Sequence, residues 1–470
     1  MSTVFLVILA IVVLAIIYIG VVLWFRDPDV NMRFDFGKLR KLPLKFGKGF
    51  LWGSATASHQ IEGNCNNNNW YQFESAVDAE GKPKILKGQK AGTCCDSWDL
   101  YKEDTQLMKA LSLNSYRFSV EWSKIELQPG VFDEAALDHY EKVVDDLLSN
   151  GIEPMVTLHH FTNPVWFEEK GAFLQGDSPQ TFVKFAEKVV QRLAPKVKMW
   201  CTINEPAIYA VLGYFIAEFP PAVVDAKKAA LVYKNMLFAH TAAYHMIKRI
   251  RPDTMVGMAV HVAICDPFNQ WNLVDILIAR LLNSNLNDSH MEYLARGKFR
   301  FSLPGIVNES YSGGEKDCFD FVGLNYYRNQ YRMFKPFGKD QFLEVTKSPK
   351  AQLTDMGWEI YPEGLYRSLK MIKRYTTKPV YITENGIADE KDTRRAAYIE
   401  DHLLVINKAI ADGYDIRGYY YWSLLDNFEW AHGFDGKFGL YSVDLNTKKR
   451  TLYPGSNKYR EIIEESKKNS

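Results

Sequence analysis

Two short segments of this 470-residue chain end in a carboxylic acid placed where it could react. Val380 to Gly386 reads Val-Tyr-Ile-Thr-Glu-Asn-Gly, a β-branched and aromatic run closed by an acid, an amide and a glycine. That is the composition of a buried strand delivering Glu384 to its C-terminal end. Lys198 to Pro206 (Lys-Met-Trp-Cys-Thr-Ile-Asn-Glu-Pro) has the same design, an apolar strand carrying Asn204 and Glu205 up to a proline. Two carboxylates at strand ends are the minimum equipment for breaking a glycosidic bond, one protonating the leaving oxygen while the other attacks or activates water.

Strands must hold such acids in register, and eight suitable runs are present: 50–59, 115–122, 154–160, 198–205, 255–262, 321–327, 380–384 and 417–424. Between them the apolar period becomes helical over 135–150, 179–193, 229–251, 362–375 and 393–412, with Gly151 and Gly413 as stop signals. Eight strand-then-helix units predict an α/β fold, a (β/α)8 TIM barrel, whose strand C-terminal ends carry the chemistry. A doubly wound open sheet would want a glycine-rich phosphate loop after an early strand, and neither G-x-G-x-x-G nor G-x-x-x-x-G-K-[ST] occurs. Polar residues gather at the expected strand ends: His59 and Gln60, Arg117 and Glu121, His159 and His160, Asn204 and Glu205, Asn325 and Tyr327, Glu384 and Asn385, and Trp422. One polar strand end is commonplace, whereas seven or eight at the same end describe the mouth of an active site.

The N-terminus is of another kind. Val4 to Phe25 is almost wholly aliphatic, no charged side chain precedes Arg26, and Trp24 and Phe25 close the run. Its length predicts a transmembrane helix, and it lacks the basic start and small-residue cleavage site of a signal peptide. Arg26, Arg33, Lys38, Arg40, Lys41 and Lys45 follow, so the positive-inside rule places the bulk of the chain on the cytoplasmic side. The expected organisation is an anchor over 1–25, a basic juxtamembrane linker over 26–48 able to lie on anionic lipid, a single catalytic domain over 49–462 and a frayed tail over 463–470.

Composition adds limits. A net charge of +1 offers no field for nucleic acid, while 11 Trp and 26 Tyr supply flat rings suited to sugar faces as well as to core packing. The six cysteines show no metal-ligand spacing, and the adjacent Cys94 and Cys95 disfavour a mutual bridge, which fits a reduced compartment. Neither a metal nor a cofactor is expected.

Beyond the two acids, the chain resembles the family 1 glycoside hydrolases, retaining β-glucosidases and their relatives. Phe50 to Gly63 is similar to that family's first-strand motif, Thr202-Ile203-Asn204-Glu205-Pro206 to its acid/base motif, and Ile382-Thr383-Glu384-Asn385-Gly386 to its nucleophile motif. Trp422 to Trp430 resembles its glycone-binding segment, and the resemblance runs over about residues 46 to 462. It implies that Glu384 is the nucleophile and Glu205 the general acid and later base, with Arg117, Tyr327 and Asn325 as supporting residues and Asn204 bonding the sugar 2-hydroxyl. It further implies that Gln60, His160 and Glu429 grip sugar hydroxyls, that Trp422 and Trp430 form a stacking floor and wall, and that Trp358 is a platform on the aglycone side.

Three positions depart from the family's usual pattern: Phe161 after His160, Arg328 after Tyr327, and Lys437 before Phe438. None removes a catalytic group. With the anchor, Arg328 turns attention to small or lipid-linked β-glycosides as substrates. Three readings remain open on sequence: a membrane-anchored retaining β-glycosidase, a transglycosidase acting on glycolipids, and a receptor-like glycan- or protein-binding module. Glycone preference and oligomeric state are not encoded in these motifs.

Overall fold

The computed structural model describes residues 3–333, 344–345 and 351–469. Eight parallel strands close into a barrel in chain order: β1 (Leu51–Ala55), β2 (Ser115–Ser119), β3 (Glu153–His159), β4 (Met199–Asn204), β5 (Met255–His261), β6 (Phe321–Asn325), β7 (Val380–Asn385) and β8 (Ile416–Trp422). Closure is made by β1, which pairs Ser54 with Tyr421 of β8 and Gly53 with Ser115 of β2. All eight expected runs are barrel strands. Their ends differ by a few residues because the chain turns out of the ladder at the mouth, so that Gln60 sits on a short helix, Ser58–Ile61.

Register shifts fall near the C-terminal ends of several strands. They lie between Cys201 and Asn204 on β4, between Leu324 and Asn325 on β6, and between Ile382 and Asn385 on β7. Such irregularities re-aim side chains, and here they fall directly before Glu205 and across Glu384. The helices start and stop on local chemistry. Asp133 accepts from the backbone N–H groups of Ala135 and Ala136 to open Glu134–Ser149, and Gly151, at φ +73°, follows its end. Beyond the barrel proper, the strand Cys265–Pro267 pairs in parallel with Gln330–Met333, extending β5 and β6 on the catalytic side.

The segment 26–48 is not a free linker. Arg40 pairs with Glu400 at 2.7 Å and Asp401 at 2.6 Å, Asp27 with Arg367 at 2.9 Å, and Lys370 with Asp29 at 2.6 Å. Leu39, Leu44 and Phe46 are buried against the barrel. Its basic character suggested lipid, but part of that charge is met by acids more than 300 residues away in sequence. The expected frayed tail is likewise folded: Asn457–Lys468 is a helix that buries Tyr459, Ile462, Ile463 and Ser466. Its charged residues are the solvent face of an amphipathic pattern.

Among the described residues, Thr3–Phe25 is the one helix long and apolar enough to cross a membrane, with a mean hydropathy of 3.4 over its best window.

Candidate active site

Glu205 follows the last residue of β4 and takes a left-handed backbone, φ +46°, before Pro206 opens the helix Pro206–Tyr214. A non-glycine residue held there is strained, a cost that recurs at functional sites. Its carboxylate Oε1 accepts a hydrogen bond from Asn325 Nδ2 at 2.7 Å. Thr383 Oγ1 donates to Asn325 Oδ1 at 2.6 Å, which fixes that amide with its N–H toward Glu205.

Glu384, on β7, receives one donor on each oxygen: Arg117 Nη1 on Oε1 and Tyr327 OH on Oε2, both at 2.6 Å. Arg117 is fully buried, and its second nitrogen donates to Asn204 Oδ1 at 2.7 Å. Asn325 Nδ2 reaches the same oxygen at 3.1 Å. One network therefore ties Glu384, Arg117, Asn204, Asn325 and Glu205 across four strands or their ends, β2, β4, β6 and β7. Gly386 completes the placement. A Cβ there would lie 1.7 Å from the Trp422 carbonyl oxygen, so only glycine lets the end of β7 lie against β8.

Burial pushes both carboxyls above the usual range, but not equally. For Glu384, the Arg117 charge and the bonds from Tyr327 and Arg117 oppose burial. Glu205 stands much higher, because burial and the Glu384 charge act together against the weaker counterweight of Asn325. Of the two, Glu205 is therefore the one that holds a proton more readily and Glu384 the one better supported as the anion, the ordering needed to start a double displacement.

Around the acids lies a cavity of 370 Å³, large enough for a sugar, lined by both glutamates, Asn204, His160, Tyr327, Trp358, Trp422, Glu429 and Trp430. Glu429 accepts from Gln60 Nε2 at 3.3 Å and from the Trp422 indole. Burial, with the Glu384 charge adding to it, raises the Glu429 carboxyl to about 7. His160 stacks between Trp422 and Trp430, with centroids at 5.7 and 6.0 Å. Burial and then the Arg117 charge hold it neutral. Its Nε2 accepts from Asn204 Nδ2, which leaves the proton on Nδ1, an atom without a hydrogen-bond partner among the described residues. Gln60 Oε1 is also buried and without a partner among the described residues. A sugar hydroxyl is the kind of group that would satisfy both.

On the opposite flank Trp358 packs against Tyr327 at 5.7 Å and Phe438 at 5.9 Å, with the Arg328 guanidinium 5.1 Å above it. Phe161 lines the cavity, whereas Lys437 contributes through its backbone, accepting from Arg395 Nη2.

Not every polar strand end belongs to the cleft. Glu121 is a structural hub, accepting from Ser58, Asn68, Ser123 and Thr162; His59 pairs with Glu74 and His159 with Asn163. Conversely, His261, the last residue of β5, lines the cavity and was not singled out from sequence. Burial and then the charge of Arg328 lower it to about 3, so it is a neutral ring near the Tyr327 side. Its position at a strand end was the available signal.

A closed parallel barrel with two buried, unequally held carboxyls at its mouth, inside a ring-lined cavity, defines an O-glycoside hydrolase. The family model described as "Glycosyl hydrolase family 1" matches residues 43–468, and the chain belongs to that family. β-Glucosidase A of Acetivibrio thermocellus is 32% identical over 446 residues, covering 89% of this chain and 98% of its own. The solved β-glycosidase of Pyrococcus horikoshii superposes with a TM-score of 0.82 at 39% identity, covering 90% of this chain and 96% of that one. The β-glucosidase of Thermotoga maritima in complex with glucoimidazole gives 0.80 at 29% identity, covering 90% and 99%. The chain is accordingly a β-glycosidase of the β-glucosidase type.

Proposed function

We propose that the protein is a membrane-anchored retaining β-glycosidase in which Glu384 is the nucleophile and Glu205 the acid/base. The observation that carries this is the unequal support of the two acids: two donors on Glu384, including a buried arginine, against one neutral amide on Glu205. In the first step the Glu384 carboxylate bonds to the anomeric carbon as the glycosidic bond breaks, and Glu205 gives its proton to the leaving oxygen. In the second, Glu205 takes a proton from water, the water oxygen bonds to the anomeric carbon, and Glu384 leaves as carboxylate. In this reading Asn204 Nδ2 bonds the 2-hydroxyl, Gln60, His160 and Glu429 bind the remaining hydroxyls, Trp422 and Trp430 meet the ring faces, and Trp358 meets the aglycone.

Thr3–Phe25 serves as the anchor, with the barrel on the cytoplasmic side. Ile208, Leu212, Phe219 and Met356 give the cavity an apolar flank, which favours an amphiphilic or lipid-linked aglycone. The same flank would admit a glycolipid hydroxyl in place of water, and transglycosylation then follows from the same intermediate. Incubation with a 2-deoxy-2-fluoro glycoside should label Glu384; labelling elsewhere, or none, overturns the assignment. Aryl β-glycosides and glucosylated or galactosylated lipids, assayed together in detergent, should be turned over, with free monosaccharide marking hydrolysis and elongated lipid marking transfer.

A further inference from the structure

The stretch Phe268–Leu277, just beyond the strand Cys265–Pro267, breaks the usual rule for a soluble surface. Phe268, Trp271, Val274 and Leu277 are 46%, 51%, 43% and 46% exposed, while Ile276 and Ala279 on the other face of the same helix, Leu273–Asn283, are buried. A helix apolar on both faces needs an apolar environment on both. Phe268–Leu277 contains no Lys or Arg, and its single acid, Asp275, is turned inward, accepting from the Asn269 amide at 3.1 Å.

What covers this face is indicated by what adjoins it. Tyr18 OH donates to the Trp271 carbonyl at 2.6 Å, and Arg280 Nη1 donates to the Phe25 carbonyl at 2.9 Å. The Arg26 guanidinium stands 5.4 Å over the Trp271 ring. Tyr18 lies seven residues before Phe25, about 10 Å along the helix axis. The Trp271 carbonyl therefore meets the apolar helix above its end, at Tyr18, while the Trp271 ring lies beside Arg26, the first charged residue, and Arg280 is level with the last residue of the helix. That is the composition of an interfacial element: aromatic and aliphatic side chains next to the end of an apolar helix, with guanidinium groups beside them able to reach the headgroups.

We propose that Phe268–Leu277 is a second, monotopic membrane contact that dips into the same leaflet as the end of the Thr3–Phe25 helix and holds the cleft against the bilayer. The inference rests on the membrane-anchored reading above. Asp266 joins the parts. It accepts from Arg367 at 2.7 and 2.8 Å and from Asn329 at 2.5 Å, and Arg367 also holds Asp27 at the exit of the anchor. Asn329 lies two residues after Tyr327, and His261 on the cavity wall lies seven residues before Phe268. The membrane contact, the anchor and the aglycone side of the cleft are thus joined through one hydrogen-bonded network, and a substrate with an alkyl or acyl aglycone is met at the interface where it resides.

The test uses the full chain in vesicles of brominated phosphatidylcholine, which quenches tryptophans in contact with lipid. Trp24 and Trp271 are the two placed at that level, so Trp271→Phe should lower the lipid-quenched emission by about half. A fourfold serine variant at Phe268, Trp271, Val274 and Leu277 should keep its turnover of a soluble aryl β-glucoside. Its turnover of a long-alkyl β-glucoside dissolved in the bilayer should fall about tenfold, since local delivery is lost. Protein that floats with the vesicles but shows the same quenched emission without Trp271, or an unchanged alkyl-to-aryl ratio in the fourfold variant, overturns the second contact and leaves the anchor standing. Protein that fails to float with vesicles overturns both. Retained aryl-glucoside turnover by Trp271→Phe shows that the variant is folded.

Discussion

Replacing Tyr327 by Phe removes one of the two donors on Glu384 while leaving the ring that packs on Trp358 and Phe438. Burial and the charge of Glu384 push the phenol upward, so it remains a donor throughout the working pH range. A hydrogen bond to a charged group contributes about 1.5–3 kcal/mol. The bond's worth differs between the two steps. During glycosylation Glu384 loses charge as it bonds to carbon, so part of the bond is given up. In deglycosylation it regains that charge as it leaves, and the hydroxyl stabilises the departing carboxylate. The full 1.5–3 kcal/mol therefore bears on the second step as an upper bound, a slowing of about 10- to 150-fold at 1.36 kcal/mol per decade. The first step should slow much less. With a dinitrophenyl β-glucoside, Tyr327→Phe should show a burst of phenolate followed by slow turnover, and rapidly quenched protein should carry one sugar by intact mass. The acidic limb of kcat/KM should also move to higher pH, because Glu384 is less well held as an anion. A variant that turns over slowly without accumulating glycosyl-enzyme, or that is unimpaired, would refute the division of roles.

Glu205→Gln should cost about 10²–10⁴ in kcat/KM for an alkyl glucoside that needs protonation, and much less in the first step for a dinitrophenyl leaving group that does not. A uniform loss across leaving groups would contradict acid catalysis by Glu205. Glu429, raised to about 7, binds hydroxyls best as the carboxylate, so kcat/KM should fall as pH drops through about 7. That limb should vanish in Glu429→Gln, leaving a flat profile there at lower affinity, as initial rates across pH will show. Asp266→Asn leaves Arg367 buried with only the half-exposed Asp27 as its charged partner among the described residues, and should destabilise the protein by about 3 kcal/mol in denaturant titrations. An unchanged midpoint would show that the Arg367 network is not integral to the fold.

The eight strands, the five helical stretches and the candidacy of Glu205 and Glu384 were legible in the chain. Strand and helix periods are local properties, and the motifs around each acid are contiguous. Gln60, His160, Trp422, Glu429 and Trp430 could be grouped on paper by the same motifs. What they touch could not. Glu384 and Arg117 are 267 residues apart, and their 2.6 Å contact exists only because the barrel closes. Closure likewise separated Glu121, His59 and His159, which serve the scaffold, from His261, which faces the cavity. The charged last helix misled because its apolar face, Tyr459, Ile462 and Ile463, packs inward beneath its charges, whereas the basic run after residue 26 misled for another reason. A charge looks solvent-facing or lipid-facing until its partner is found, and the partners of Arg40 lie on a helix near residue 400. The apolar helix Thr3–Phe25 was legible from its length alone. That it leaves the barrel beside Trp271 and Arg280 was decided only in three dimensions, because such contacts depend on packing between elements some 250 residues apart rather than on the preferences of either.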